Sequence, residues 1–198
     1  MKKLFDAIRR GDGETVKACL DKKPALIACT AGAPKQYIGQ SPLQVAVQEC
    51  KFDIAGLLLD RGADVNFMEA DDCGSDRRNP VVHDAVAVAV LSVRIAGTER
   101  MDQAFAVLER MVAMGADLTK PDLGGSTALD VALNSARRVL PPFNYEENRY
   151  VRDEPVPEKT DRQLRRVFGL IRSAAPGLSQ RSLGPRYHET LLQKYLTL

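Results

Sequence analysis

Apolar residues recur along this chain at helical spacing, in short stretches that end at glycines or turns. Ile54, Leu57 and Leu58 lie at i, i+3 and i+4, and the segment 16–20 repeats that spacing. The spacing predicts amphipathic helices, each with one apolar stripe. A short helix of this kind buries its stripe only against neighbours, so the pattern predicts helix pairs packed in a row.

The segment 41–66 contains the clearest of these helix pairs. Ser41 can cap the first helix with its hydroxyl, Pro42 fits the first helical turn, and Gly62 can end the second helix. These features, in this order, resemble one unit of the ankyrin repeat family. The resemblance implies a helix-turn-helix unit and a protein in which several such units stack side by side.

Four units can be aligned on an alanine that recurs in the first helix of each. These alanines are Ala7, Ala46, Ala85 and Ala132, separated by 39, 39 and 47 residues, whereas an ankyrin period is about 33. The units cover about 2–34, 36–70, 76–120 and 122–180, and 181–198 is a C-terminal capping segment. The resemblance therefore implies an all-α fold, an ankyrin-repeat α-solenoid of stacked helix-turn-helix units with long turns, in a single domain over 1–198.

The longest insertion, residues 138–160, separates the two helices of the fourth unit. The run from Val139 to Lys159 contains four prolines and three aromatic residues without any period, which predicts a long loop. The apolar spacing after it predicts a helix over 162–175, and a short closing helix is expected within 187–198. The apolar edge of that closing helix consists of Leu191, Leu192 and Tyr195.

The composition is that of an ordinary globular chain of 198 residues, with 44% hydrophobic and 27% charged residues. No apolar run reaches the length that crosses a bilayer, so no membrane association is expected. The net charge of +2 is unevenly spread. Residues 1–136 carry 16 basic and 19 acidic side chains (−3), and residues 137–198 carry 12 and 7 (+5).

Four cysteines occur without any C-x-x-C pair, a pattern that does not favour a zinc site. They are Cys19, Cys29, Cys50 and Cys73. Cys19 and Cys50 fall in apolar patterns and are expected to be buried free thiols. Free thiols are typical of the cytoplasm, where the protein is expected to reside. The opening MKKLF is soon interrupted by Asp6 and Arg9, so we expect no signal peptide.

The adjacent pair His83-Asp84 raises the alternative of a small metal-dependent hydrolase. Such a site needs further ligands, and the other histidine, His188, is far along the chain. The ankyrin resemblance gives His83 another role, a hydrogen bond to the turn of the neighbouring unit. No nucleophile motif or P-loop occurs, and the acidic segment 71–76 lacks EF-hand spacing. We therefore expect no enzyme activity, no catalytic residue, no cofactor and no metal.

A second alternative is an acidic ligand or nucleic acid bound by the basic C-terminal part. Four arginines lie close together there: Arg162, Arg165, Arg166 and Arg172. Nucleic-acid binding also calls for exposed aromatic side chains, but Phe168 falls on the apolar stripe with Leu164. The pattern therefore favours a solvated helix face over nucleic-acid binding. Affinity for an acidic ligand would fall steeply with salt.

The ankyrin resemblance implies a non-enzymatic module that binds another protein through its concave face and turn tips, as an adaptor or an inhibitor. The residues carried over to those places are Tyr37, Ile38, Gln40, Gln48, Glu49, Asp76, Arg77, Arg78, Asn79, Leu123, Ser126 and Asn134. Tyr37 and Arg77 are the expected main contacts, because tyrosine and arginine are enriched in binding hot spots. The aromatic loop 141–150 either anchors a partner or folds back onto the scaffold. A monomer is expected.

Overall fold

The computed structural model describes residues 1–69, 78–94, 97–144, 146–147, 149–151, 155–178 and 190–197. The α-helices of this part of the chain are α1 (Lys2–Arg10), α2 (Gly13–Lys22), α3 (Pro42–Gln48), α4 (Phe52–Asp60), α5 (Val81–Leu91), α6 (Thr98–Ala113), α7 (Ala128–Val139), α8 (Glu158–Ala174) and α9 (Thr190–Leu196). Short 3-10 helices cover Pro24–Ala28, Lys35–Tyr37 and Ser92–Arg94. The predicted all-α class is confirmed.

The helices stack in two rows. The first helices of successive pairs, α1, α3, α5 and α7, pack against one another in sequence order. The second helices, α2, α4, α6 and α8, do the same behind them. This is the arrangement expected of helix-turn-helix units that bury their apolar stripes against neighbours.

Small residues hold the first row together. Ala7, Ala46 and Ala132 are fully buried, and Ala85 is 2% exposed. A methyl side chain at this position lets neighbouring helices approach closely, which explains why alanine recurs in each unit. Larger apolar side chains from the second row, such as Leu58 and Leu108, complete one continuous core.

The helix ends carry the caps that the sequence predicts. The Ser41 hydroxyl accepts a hydrogen bond from the Gln44 amide at 3.1 Å, and Pro42 opens α3. Gly62 follows α4 with a φ of 79°. Cys50 stands after α3 where the repeat usually has glycine, and it takes the same left-handed conformation, with a φ of 52°. Cys50 therefore adopts the left-handed backbone conformation that glycine usually provides at this position.

The insertion after α7, predicted as a long loop, contains regular structure. It contains a two-stranded antiparallel hairpin, β1 (Phe143–Asn144) and β2 (Arg149–Tyr150), and the rings of Phe143 and Tyr150 meet edge-on at 4.8 Å between centroids. The Tyr150 hydroxyl accepts a hydrogen bond from the Leu191 amide at 3.2 Å. These two aromatic side chains fold back onto the scaffold, whereas Tyr145 lies outside the described residues.

The predicted helix over 162–175 begins earlier, at Glu158, directly after Pro157. Glu158 and Asp161 suit its first turn, because carboxylates are favourable near a helix N-terminus. The predicted closing helix is confirmed as α9, in which Leu192 and Tyr195 are fully buried. Across the described segments, each helix is too short or too polar to cross a membrane.

Candidate partner-binding groove

His83 ties α5 to the turn that precedes α7. Its Nε2 donates a hydrogen bond to the Lys120 carbonyl at 3.1 Å, and the side chain is 2% exposed. Burial lowers the pKa of the imidazole, while the nearby Asp122 carboxylate opposes that shift. The burial of the ring and its hydrogen bond to the turn match the structural role that the resemblance implies.

The hydrolase alternative finds no further support around His83. The Asp84 carboxylate accepts a hydrogen bond from Gln44 Nε2 at 2.7 Å. Within the described ranges, no three His, Cys, Asp or Glu side chains lie where they could hold a metal ion. His188 and the acidic segment 71–76 are outside those ranges.

Two contacts fix α5 and α7 side by side in the same direction. The His83 bond joins the start of α5 to the residues before α7. At the other end, the Arg94 guanidinium donates to the Arg138 carbonyl, so the residues after α5 meet the last turn of α7. The N-terminal end of α5 is thus next to the N-terminal end of α7, and their C-terminal ends are also adjacent, so the two helices are parallel.

A groove of about 770 Å³ lies between these two helices, and we call it the α5–α7 groove. It is lined by Asn79, His83, Asp84, Ala87, Leu91, Asp122, Gly124, Ser126, Val131, Asn134, Ser135, Arg137 and Arg138. The lining combines small and apolar side chains with charged and amide side chains. Asn134, Arg137 and Arg138 share a face of α7, because they lie at i, i+3 and i+4.

Three of the predicted site residues of the third and fourth units line this groove. Asn79, Ser126 and Asn134 are among the lining residues. Leu123 lies between the lining residues Asp122 and Gly124, and it is 62% exposed. Arg78 lies next to Asn79 and donates from Nε to the Glu69 carbonyl at 3.2 Å. Their role in partner binding stays a prediction.

Tyr37, predicted as a main contact for a partner, is buried. Its side chain is 5% exposed, its hydroxyl donates to the Glu49 carboxylate, and the Arg9 guanidinium lies 5.8 Å from the ring centroid. Burial and the bond to Glu49 raise the pKa of the Tyr37 hydroxyl. Tyr37 therefore links the first two units instead of presenting a free contact.

The other predicted residues of the second unit are also less accessible than expected. Gln40 is 6% exposed and donates from Nε2 to the Glu69 carboxylate at 3.0 Å. Ile38 and Gln48 are half-buried. Asp76 and Arg77, predicted for the third unit, lie outside the described residues.

A buried polar cluster beside the groove was not predicted. Glu69, 2% exposed, accepts hydrogen bonds from the side-chain amides of Gln40 and Gln44, and Gln44 also donates to Asp84. The signal available in the sequence is that Gln44 and His83 occupy the same position of successive units. Their shared position indicates a side chain that reaches into the next unit.

Two of the C-terminal arginines form contacts within the protein. Arg165 pairs with Asp161 at 2.8 Å, and Arg166 pairs with Asp102 and lies 4.1 Å from the Phe105 ring centroid. Phe168 is fully buried, as the apolar stripe predicted. This face of α8 is therefore a poor platform for stacking nucleic-acid bases.

The ankyrin repeat family model matches residues 38–69. The chain therefore contains an ankyrin repeat, and the family suggested by the sequence is confirmed for that unit. Ankyrin repeats generally bind other proteins. No curated protein matches the chain.

Proposed function

We propose that this protein is a non-enzymatic module that binds another protein in the α5–α7 groove. The observation that carries the proposal is the groove itself, a surface between two first helices that combines apolar and charged side chains. Protein-binding surfaces commonly have such a mixture, with an apolar centre and a polar rim. The protein acts as an adaptor or as an inhibitor that covers its target.

Leu123 supports this location. It is among the large apolar side chains that the described residues leave exposed, and it lies beside the groove on the turn before α7. An exposed apolar side chain at the edge of a polar groove is a suitable anchor for a partner. Leu123 therefore replaces Tyr37 as the expected main contact.

We place the protein in the cytoplasm as a monomer. Cys19, Cys29 and Cys50 are free thiols, each half-buried, and burial raises the pKa of the Cys29 and Cys50 thiols. Free thiols persist in a reducing compartment, which supports this location.

The test is affinity capture from lysate with a groove-blocking variant and a matched control. Ala87→Arg places a long side chain in the groove, and Ala106→Arg places the same side chain on the exposed face of α6. Quantitative mass spectrometry compares the proteins retained by each variant and by the wild type. Thermal unfolding of both variants checks that they remain folded.

We expect a protein that is retained by the wild type and by Ala106→Arg but lost from Ala87→Arg. Equal retention by both arginine variants would contradict the location of the site. A Leu123→Ala variant should reduce retention of the same protein, because it removes the exposed apolar contact without filling the groove.

A further inference from the structure

The α5–α7 groove has opposite charges at its two ends. Asp84 lies in the first turn of α5, and Asp122 lies on the turn before α7. Arg137 and Arg138 lie in the last turn of α7, and the Arg94 side chain reaches the same place through its bond to the Arg138 carbonyl. Because the two helices are parallel, the carboxylates share one end of the groove and the guanidinium groups share the other.

The basic end is accessible to a ligand. Arg94 and Arg138 are both exposed, and neither forms an ion pair with a residue that the structure describes. The middle of the groove contains Ala87, Leu91 and Val131, all of which are partly exposed. A ligand that follows the groove thus meets negative charge, then small apolar side chains, then positive charge.

The length of the groove sets the spacing of the complementary charges. From Asp84 to Arg94 is ten residues, seven along α5 and three along the following 3-10 helix, or about 16 Å at rises of about 1.5 Å and 2.0 Å per residue. An extended peptide advances about 3.3 Å per residue, so it spans that distance in four to five residues. Side chains at such a separation can reach the two ends at once.

We infer that the groove binds an extended segment of the partner protein that carries a basic side chain and a carboxylate four to five residues apart. The basic side chain faces Asp84 and Asp122, and the carboxylate faces Arg94 and Arg138. Small apolar side chains of the segment lie between them on Ala87 and Val131. This inference rests on the proposed function, because it assigns the charge pattern of that same partner.

The experiment selects peptides from a random dodecapeptide library on the full protein and on three variants. Arg138→Glu reverses a charge at the basic end of the groove. Arg162→Glu makes the same change on an exposed part of α8, as the matched control, and Ala87→Arg blocks the groove. Sequencing of the enriched peptides gives the spacing and sign of their charges, and fluorescence anisotropy gives the Kd of chosen peptides.

We expect peptides enriched on the wild type to carry a basic and an acidic residue four to five positions apart, and Arg162→Glu to select the same pattern. On Arg138→Glu the acidic position should be lost or become basic, while the other position stays basic. For a wild-type peptide, Arg138→Glu should raise Kd by about threefold to fivefold, as an exposed ion pair allows.

The other outcomes separate the two proposals. If Ala87→Arg enriches the same peptides as the wild type, the groove is not the site and the proposed function fails. If Ala87→Arg abolishes enrichment but Arg138→Glu keeps the wild-type charge pattern, the charge assignment alone is overturned. Absence of enrichment on the wild type also overturns it, because such a library contains the required charge pair in many contexts.

Discussion

Gln44 and His83 occupy the same position in successive units. The Gln44 side chain reaches the next unit, and the His83 side chain reaches the turn at the border with the next unit. Gln44 donates to Asp84 of the third unit, and His83 donates to the Lys120 carbonyl beside the fourth. A buried donor of this kind must find an acceptor, since leaving it unpaired costs about 1–3 kcal/mol. In each of these two units, one buried polar side chain therefore fixes the orientation of the unit relative to its neighbour.

His83 makes the stability of the protein depend on pH near neutrality. Its pKa in the folded protein is lowered by burial, whereas the unfolded chain has an ordinary value near 6.5. Below that value the unfolded state binds a proton that the folded state does not, so stability is lost as pH falls. We expect the free energy of unfolding in urea to decrease from pH 7.5 to pH 5.

The matched variant is His83→Gln, whose side-chain amide can still donate to the Lys120 carbonyl but does not titrate in this range. We expect it to lose about 1 kcal/mol at pH 7.5 and to show a smaller loss of stability between pH 7.5 and pH 5. The same pH dependence in wild type and variant would show that His83 is not its source.

At the scale of elements, α9 closes the end of the stack through one carboxylate and one aromatic contact. Asp161 on α8 accepts hydrogen bonds from Lys194 Nζ at 2.7 Å and from the Tyr195 hydroxyl at 2.8 Å. The bond from Lys194 holds the pKa of Asp161 well below its usual range. The Tyr195 ring stacks on Phe168, with 5.8 Å between centroids. These contacts hold a seven-residue helix that is too short to be stable alone.

Asp161→Asn should release α9 while the rest of the stack stays folded. The substitution removes the charge that Lys194 and Arg165 contact, and we expect a loss of about 1 kcal/mol because the carboxylate is partly exposed. Hydrogen exchange measured by mass spectrometry should show that the substitution speeds exchange in α9, relative to the wild type, more than it does in α5. The contribution of Asp161 is present above about pH 4 and is lost at lower pH, since its folded pKa is lowered.

Tyr195→Phe is the control for this prediction. It removes the hydroxyl bond to Asp161 but keeps the ring against Phe168, so it should speed exchange in α9 less than Asp161→Asn does. An Asp161→Asn variant with unchanged exchange in α9 would mean that apolar burial of Leu192 and Leu196 is sufficient to hold the helix.

At the scale of the whole molecule, the fold was predictable because it depends on local patterns repeated along the chain. The caps and glycines of 41–66 lie within a few residues of the helices they end. The hairpin at 143–150 was not predictable, because its pairing depends on two aromatic side chains seven residues apart in a segment without period. The burial of Tyr37 was missed for a similar reason, since it depends on Arg9 in α1 and on Glu49 just after α3.

The candidate groove was predictable in part. Asn79, Ser126 and Asn134 follow from the register of the repeat, which is a local property. Arg138 was missed because it was assigned to the loop 138–160, whereas α7 continues to Val139. The charge polarity of the groove could not be derived from the sequence. It requires that α5 and α7 run parallel with matched ends, which the long-range contacts of His83 and Arg94 establish.

The second row of helices carries an ion pair across each of its interfaces. These pairs are Asp21–Arg61, Asp60–Arg110 and Asp102–Arg166. In each pair, the arginine of one unit reaches the aspartate of the unit before it. The side chains are about one third to two thirds exposed, so each pair is expected to contribute about 0.2–1 kcal/mol.

The three pairs lie on different interfaces of a linear stack, and their contributions should therefore add. We expect the triple variant Asp21→Asn, Asp60→Asn, Asp102→Asn to lose, within about 0.5 kcal/mol, the sum of the three single losses in urea unfolding at low salt. In 1 M NaCl, where the screening length is about 3 Å, most of that loss should disappear. A loss of stability that persists in 1 M NaCl would instead indicate that the aspartates contribute through packing or hydrogen bonds. A triple loss well above the sum would indicate that the units are coupled beyond nearest neighbours, which a stack of repeats does not predict.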